Sequence, residues 1–141
     1  MTTEDTAKII KLCYENYDEK TMAHVLRVAD YALQSCLLSQ CHVGDLYITA
    51  ICHDLLEDTN VSLENIKDII GPNNIKILDA LSLLTKPKDM NYIEYIKKIK
   101  ESKNILAYCV KLSDMKDHLT QTETLTEKLK EKYWNAIPYL L

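Results

Sequence analysis

Apolar residues recur at the three- and four-residue spacing of an α-helix through almost the whole chain. Within the segment 4–17, the residues at this amphipathic spacing are Ile9, Ile10, Leu12 and Cys13. The 141 residues include only two glycines and three prolines, which is too few for the many turns of a β-sandwich or β-barrel. The sequence therefore predicts an all-α fold.

Cap and turn residues divide this pattern into separate helices. Ser62 is a suitable N-cap, Gly71 suits the end of the same helix, and Pro72 suits the first turn of the next. The predicted helices cover residues 4–17, 20–39, 43–58, 62–71, 72–85, 91–101, 104–120 and 123–140. We expect a compact bundle of about seven helices, which forms one domain over residues 1–141.

Composition and charge exclude several kinds of partner. The net charge of −4 is unlike the basic balance of a nucleic-acid-binding protein. No stretch approaches the ~20 apolar residues that cross a bilayer, and the polar start of the chain does not resemble a signal peptide. The cysteines are odd in number and lack C-x-x-C spacing, which predicts buried thiols; they are Cys13, Cys36, Cys41, Cys52 and Cys109. We expect a cytoplasmic protein without a nucleic-acid or membrane partner.

The densest group of polar residues is the run His53-Asp54-Leu55-Leu56-Glu57-Asp58. On a helix, His53 and Glu57 are four residues apart, as are Asp54 and Asp58, so their side chains share neighbouring patches of the surface. Burying these charges unpaired would cost roughly several kcal/mol each, and the stretch contains no lysine to pair with them. A divalent metal is a suitable partner, because imidazole and carboxylate are both ordinary metal ligands.

Two further polar residues interrupt apolar helical segments far from this run. His24 and Asp114 would each, taken alone, more often be a core residue satisfied by a hydrogen bond. Together with His53 and Asp54 they form a set of two histidines and two aspartates from three helices. Such a set leaves coordination positions open for water and substrate. We predict that these four residues bind one divalent metal, for which Mn²⁺, Fe²⁺ and Zn²⁺ are about equally suitable.

The spaced His…His-Asp…Asp pattern resembles that of the HD-domain metal-dependent phosphohydrolases. Within that family, His-Asp-Leu-Leu-Glu-Asp-Thr (53–59) and Val-Lys-Leu-Ser-Asp (110–114) resemble motifs of the RelA/SpoT-type alarmone hydrolases. Leu84-Thr85-Lys86 lies between them in the expected order. The resemblance covers roughly residues 20–140, and the chain is similar to small stand-alone hydrolases of the metazoan SpoT-homologue kind.

The resemblance implies an HD-type helical fold and an enzyme of the stringent response. Such an enzyme removes the 3′-pyrophosphate of guanosine tetra- or pentaphosphate, (p)ppGpp, and releases GDP or GTP, with Mn²⁺ as its usual metal. It implies that Glu57 and Asp58 orient and deprotonate the attacking water. The residues that it indicates as candidates for substrate binding are Lys86, Lys111, His118 and Tyr133.

Two alternatives remain open. The first is an HD-family enzyme for another nucleotide, such as a nucleoside monophosphate. Departures from the family motif favour it, because residues 14–21 are not a basic, glycine-containing stretch and Val25, rather than a proline, follows His24. The second is a non-catalytic module that senses a nucleotide or a metal. Loss of a ligand or of the Glu57–Asp58 pair would favour the second, and all six residues are present. The oligomeric state is not indicated.

Overall fold

The computed structural model of the chain describes residues 1–35 and 40–141, and this part contains helices and no strands. In chain order the helices are α1 (Thr3–Asn16), α2 (Glu19–Ser35), α3 (Val43–Cys52), α4 (Leu55–Asp58), α5 (Leu63–Ile70), α6 (Ile75–Leu84), α7 (Tyr92–Ser102), α8 (Ile105–Thr120) and α9 (Glu127–Leu140). The all-α prediction is confirmed for the described residues. They form nine helices, of which α4 is a single turn of four residues, rather than about seven.

Helix α8 lies at the centre of the packing. It contacts α2, α3, α6, α7 and α9, and α2 also packs closely against α3. A hydrophobic cluster lies between these helices, and its fully buried side chains include Ile48, Ile51 and Met115. Because α2, α3 and α8 carry or adjoin His24, His53 and Asp114, their packing brings these polar residues to one place inside the bundle.

The short helix α5 begins and ends as the sequence predicts. Its N-cap Ser62 accepts a hydrogen bond from the Asn65 backbone N–H, and the Asn65 side chain accepts one from the Ser62 N–H. At the other end, Gly71 has a φ of +88°, a left-handed conformation in which a Cβ atom would be strained. This turn directs the chain from α5 towards α6.

Two predicted helix starts are wrong, and a third boundary is not covered. Pro72 lies in a turn before α6 rather than in its first turn, and the Asn74 side-chain amide there donates to the Ile70 carbonyl. The last helix begins at Glu127, not at residue 123, because Thr126 is its N-cap and accepts from the Leu129 N–H. The predicted end of the second helix at residue 39 lies outside the described residues.

The predicted continuous helix over residues 43–58 is also wrong, because the chain turns at His53 and Asp54 between α3 and α4. In an unbroken helix the Ile51 carbonyl would accept from the N–H four residues later. Here it accepts from the Tyr17 hydroxyl at 2.7 Å and from the Cys13 thiol at 3.6 Å. A contact from the first turn after α1 therefore stabilises the break that positions His53 and Asp54.

The role of Tyr17 in this break can be tested by the variant Tyr17→Phe. Its hydroxyl is the closer of the two donors to the buried Ile51 carbonyl. Because the substitution removes this hydrogen bond, we expect the free energy of unfolding to fall by about 1–3 kcal/mol. Urea unfolding measures the change. Tyr14→Phe is the matched control on α1, because Tyr14 is 60% exposed and such surface changes stay within about 0.5 kcal/mol. Equal stability of the two variants would contradict this role.

The cysteines follow the sequence-based interpretation only in part. Cys13, Cys52 and Cys109 are buried free thiols, as predicted, and all three belong to the hydrophobic core cluster. Cys41 is half-buried and is disulfide-bonded, which the interpretation as buried thiols does not include. Cys36 lies outside the described residues. None of the described helices has the length and apolarity to cross a lipid bilayer.

Candidate metal centre

The four predicted metal ligands meet at one point between α2, α3, α4 and α8. One ligand atom from each of His24, His53, Asp54 and Asp114 lies within 4.8 Å of the other three. His24, His53 and Asp114 are buried, and Asp54 is half-buried. The packing of three separate stretches of the chain thus brings together two imidazoles and two carboxylates that could hold a metal ion.

The environment of His53 leaves one ring nitrogen free for a ligand role. Its Nδ1 lies within hydrogen-bond distance of the Ala50 carbonyl, and a carbonyl can only accept, so Nδ1 carries the hydrogen. The other nitrogen, Nε2, lies 3.4 Å from Asp54 Oδ1 and 3.3 Å from Asp114 Oδ1. The turn between α3 and α4 therefore fixes both the tautomer and the direction of this imidazole.

His24 is held in the same way by a carboxylate rather than a carbonyl. Its Nδ1 lies 2.7 Å from Asp117 Oδ2, while its Nε2 faces the cluster, 2.9 Å from Asp114 Oδ1. Arg27 in turn donates to both oxygens of Asp117, from Nε at 2.7 Å and from Nη2 at 3.0 Å. A carboxylate that orients a histidine from behind is a common feature of metal sites, where it fixes the ring and raises its basicity.

Neither Asp117 nor Arg27 was singled out in the sequence, although a signal is present. Arg27 follows His24 by three residues on α2, and Asp117 follows Asp114 by three residues on α8. Residues at this spacing lie on the same helix face. A polar pair that points to one face of each helix therefore indicates that the two pairs meet when α2 and α8 pack together.

The variant Asp117→Asn tests whether this support tunes metal affinity. Asparagine keeps an oxygen that can accept from the His24 Nδ1–H but loses the negative charge that raises the basicity of the ring, so we expect metal binding to weaken by about 10- to 100-fold. Calorimetric titration of metal-stripped protein with Mn²⁺ measures the change. Asp30→Asn on the exposed face of α2 is the matched control. Unchanged affinity in a correctly folded Asp117→Asn protein would show that His24 needs no such support.

The two carboxylate oxygens of Asp114 contact different groups. Oδ1 faces three imidazoles: it is 2.9 Å from His24, 3.3 Å from His53 and 3.2 Å from His118. Oδ2 accepts from the buried Lys111 ammonium at 2.8 Å. Burial alone would raise the pKa of Asp114, but the Lys111 charge and the three imidazole contacts hold it well below its usual range. The carboxylate therefore stays ionised inside the bundle.

The cluster favours positive charge. Burial alone would lower the pKa of His53, but the Asp54 charge and the contact with Asp114 outweigh it and raise the pKa to about 9. The pKa of His24 is raised as well, because the contact with Asp114 outweighs the effect of burial. A position at which carboxylates stabilise a positive charge on two imidazoles suits a divalent cation, and the donor set fits one.

The predicted catalytic pair lies at the rim of this centre, and its two members differ in their contacts. Glu57 Oε1 accepts from the backbone N–H of Lys86, in the segment between α6 and α7. The Asp58 carboxylate has no hydrogen-bond partner among the described residues. Its pKa is raised by partial burial and by the charges of Asp54 and Glu57. Glu57 is therefore held in place, whereas Asp58 is free to accept a proton.

The four residues predicted to bind substrate all line one cavity of 210 Å³ beside the centre; they are Lys86, Lys111, His118 and Tyr133. The ring of His118 stacks on that of Tyr133 at 4.9 Å and lies 4.6 Å from that of His24. Asp54, Asp58 and His118 also line a second cavity of 410 Å³ next to α2. The centre thus opens on two sides.

No protein-family model matches the chain, and no curated protein matches it. The geometry of the described residues is consequently the basis on which a function can be assigned. It consists of a candidate metal centre of two histidines and two aspartates, with two carboxylates at its rim and two cavities beside it. In this all-α protein, that centre is the site from which a function is best inferred.

Proposed function

We propose that this chain is a metal-dependent phosphohydrolase of the HD type, which removes the 3′-pyrophosphate of (p)ppGpp with Mn²⁺ as its metal. The observation that carries the proposal is the convergence of His24, His53, Asp54 and Asp114 within 4.8 Å of one another. Four protein ligands leave further coordination positions for water and a phosphoryl oxygen.

The metal would lower the pKa of a bound water and neutralise charge on the phosphoryl group. Around it, the protein groups divide the work. Asp58 accepts the proton of the attacking water, because its carboxylate is free of other hydrogen bonds among the described residues and lies beside Asp54 in both cavities. Glu57, which is held by the Lys86 N–H, orients that water.

A phosphorylated substrate is supported by the charges beside the centre. The chain has a net charge of −4, yet Lys86, Lys111 and Lys132 all line the 210 Å³ cavity. Four carboxylates line the same cavity, so these lysines would attract an anionic substrate once a divalent metal offsets those negative charges. His118 and Tyr133, stacked beside them, offer flat ring surfaces and polar atoms to the rest of a nucleotide.

Product analysis with a panel of nucleotides tests the proposal. Protein loaded with Mn²⁺ is incubated with guanosine tetraphosphate, guanosine pentaphosphate and nucleoside monophosphates, and a chelator is added to matched samples. We expect GDP or GTP together with pyrophosphate, only from the first two and only without chelator. Release of phosphate from the monophosphates alone would replace the substrate assignment. Tight binding without turnover of any nucleotide would instead indicate a sensor module.

A further inference from the structure

The three lysines that line the 210 Å³ cavity are not equivalent. Lys111 is buried and forms an ion pair with Asp114 at 2.8 Å. Lys86 donates from its Nζ to the carbonyls of Pro87 and Met90, both at 3.0 Å. Lys132, on α9, has neither an ion pair nor a side-chain hydrogen bond in the part of the chain that the structure describes. Its charge therefore remains available to a ligand in this cavity.

Aromatic rings hold the Lys132 ammonium at the cavity. Its Nζ lies 4.4 Å from the centre of the Tyr92 ring and 5.2 Å from that of Tyr133, distances at which a cation is attracted to the ring face. Both tyrosines line the same cavity. Partial burial and the nearby charges of Lys111 and Lys86 lower the pKa of Lys132. An anion placed there would relieve this repulsion between lysines.

Tyr92 provides a second, independent indication of a ligand. Its hydroxyl oxygen is buried and has no hydrogen-bond partner among the described residues. A buried hydroxyl without a partner costs free energy unless a ligand or a water forms the missing hydrogen bond. Burial outweighs the influence of the nearby Lys111 ammonium and raises the pKa of Tyr92. The hydroxyl therefore keeps its proton, and since an ammonium can only donate, this proton remains available to an acceptor. An anionic oxygen would accept this hydrogen bond.

We propose that Lys132 and Tyr92 form a phosphate-binding subsite beside the metal centre, which holds a terminal phosphoryl group of the substrate. This inference rests on the proposed function and specifies how that site recognises its substrate. Lys132 supplies charge from one of its three ammonium N–H groups, and Tyr92 supplies a neutral donor.

The charges around the cavity predict that this subsite depends on the metal. Its lining includes four carboxylates and three lysines, so the carboxylates oppose the entry of an anion. A divalent cation bound by His24, His53, Asp54 and Asp114 would offset the charge of these carboxylates. Anion binding is therefore expected only after the metal has bound.

Binding of inorganic pyrophosphate to the Mn²⁺-loaded chain tests the subsite directly. Calorimetry is carried out with free Mn²⁺ buffered, so that complexation in solution is the same in every sample. We expect the Kd to rise by about 10- to 100-fold in Lys132→Ala and by about 10-fold in Tyr92→Phe, as for lost hydrogen bonds to a charged group. Lys132→Arg should recover most of the affinity. Lys130→Ala, at a position on the same helix that does not line the cavity, removes the same charge and should bind like the original chain.

The outcomes separate the subsite from the proposed function. If Lys132→Ala binds pyrophosphate as tightly as the original chain, or if neither binds it, the subsite is wrong even when nucleotides are hydrolysed. If binding depends on Lys132 while no nucleotide is hydrolysed, the subsite stands and the proposed activity fails. Mn²⁺ affinity, measured in the same variants, should stay unchanged. A loss of metal binding in Lys132→Ala would show that the residue has a structural role instead.

Discussion

Asp54→Asn is expected to abolish both metal binding and hydrolysis. Asp54 is the only ligand of the four whose two oxygens face different imidazoles, with Oδ1 at 3.4 Å from His53 Nε2 and Oδ2 at 3.5 Å from His24 Nε2. Asparagine keeps one neutral oxygen and loses the charge. We therefore expect metal affinity to fall by more than the roughly 10- to 100-fold that an outer-shell partner contributes, and turnover to fall below detection.

The fold of this variant should survive, because the Asp54 side chain is 19% exposed and the new amide can reach water. Metal content, calorimetry and circular dichroism of Asp54→Asn provide the measurement. Asp68→Asn, an exposed change on α5, is the control for the loss of one negative charge. A variant that keeps one tightly bound metal ion would mean that Asp54 is not a ligand, and one that keeps full turnover would contradict the proposed chemistry.

The second large effect is expected at Asp58. Asp58→Asn removes the carboxylate that we assign as proton acceptor, so kcat should fall by about 10²- to 10⁴-fold. The metal ligands are untouched, and Mn²⁺ affinity should therefore stay close to that of the original chain. Steady-state kinetics together with a metal titration separate the two quantities.

Glu57→Gln provides the comparison for Asp58. Glutamine retains an amide oxygen that can still accept the Lys86 N–H, so the segment between α6 and α7 keeps its contact. We expect a smaller loss of kcat in Glu57→Gln than in Asp58→Asn. The reverse order would exchange the roles of the two residues. Equal and complete loss in both would mean that the pair acts as one unit, and the division of roles would be wrong.

The convergence of the four candidate ligands could be predicted because His53 and Asp54 belong to a dense polar run and the other two are polar residues within apolar helical segments. His24 and Asp114 interrupt α2 and α8 in this way, and both prove to be buried. A buried charge needs a partner, so several such positions in one chain indicate that they meet. That inference needs only the pattern along each helix, not the path of the chain between helices.

The break between α3 and α4 could not be predicted in the same way. The run His53–Asp58 follows the apolar segment 46–52, which contains no proline or glycine, so local preference favours an unbroken helix. Instead, the hydroxyl of Tyr17, 34 residues away in sequence, donates a hydrogen bond to the Ile51 carbonyl. Long-range contacts of this kind leave no local signal. Of the two predicted i, i+4 relations, only that of Asp54 and Asp58 keeps a helical backbone hydrogen bond, from the Asp58 N–H to the carbonyl of Asp54, the N-cap of α4, at 2.9 Å.

Most of the residues that surround the centre could not be predicted from the sequence either. Which of several lysines on α9 faces the cavity depends on how that helix rotates against α7 and α8, and Lys132 is the one that lies over Tyr92. The orphaned hydroxyl of Tyr92 is likewise visible only once its surroundings are known. Asp117 is different, because its spacing from Asp114 already indicated a shared helix face.

We propose that one divalent ion, held by His24, His53, Asp54 and Asp114, makes the chain a hydrolase. The most direct measurement is a titration of metal-stripped protein with Mn²⁺, in which bound metal and pyrophosphate release from guanosine tetraphosphate are followed in the same samples. Activity is expected to rise in proportion to bound metal and to saturate at about one ion per chain, as for a single catalytic site. Turnover by the stripped protein in excess chelator, or saturation of the metal site with no turnover at all, would contradict it.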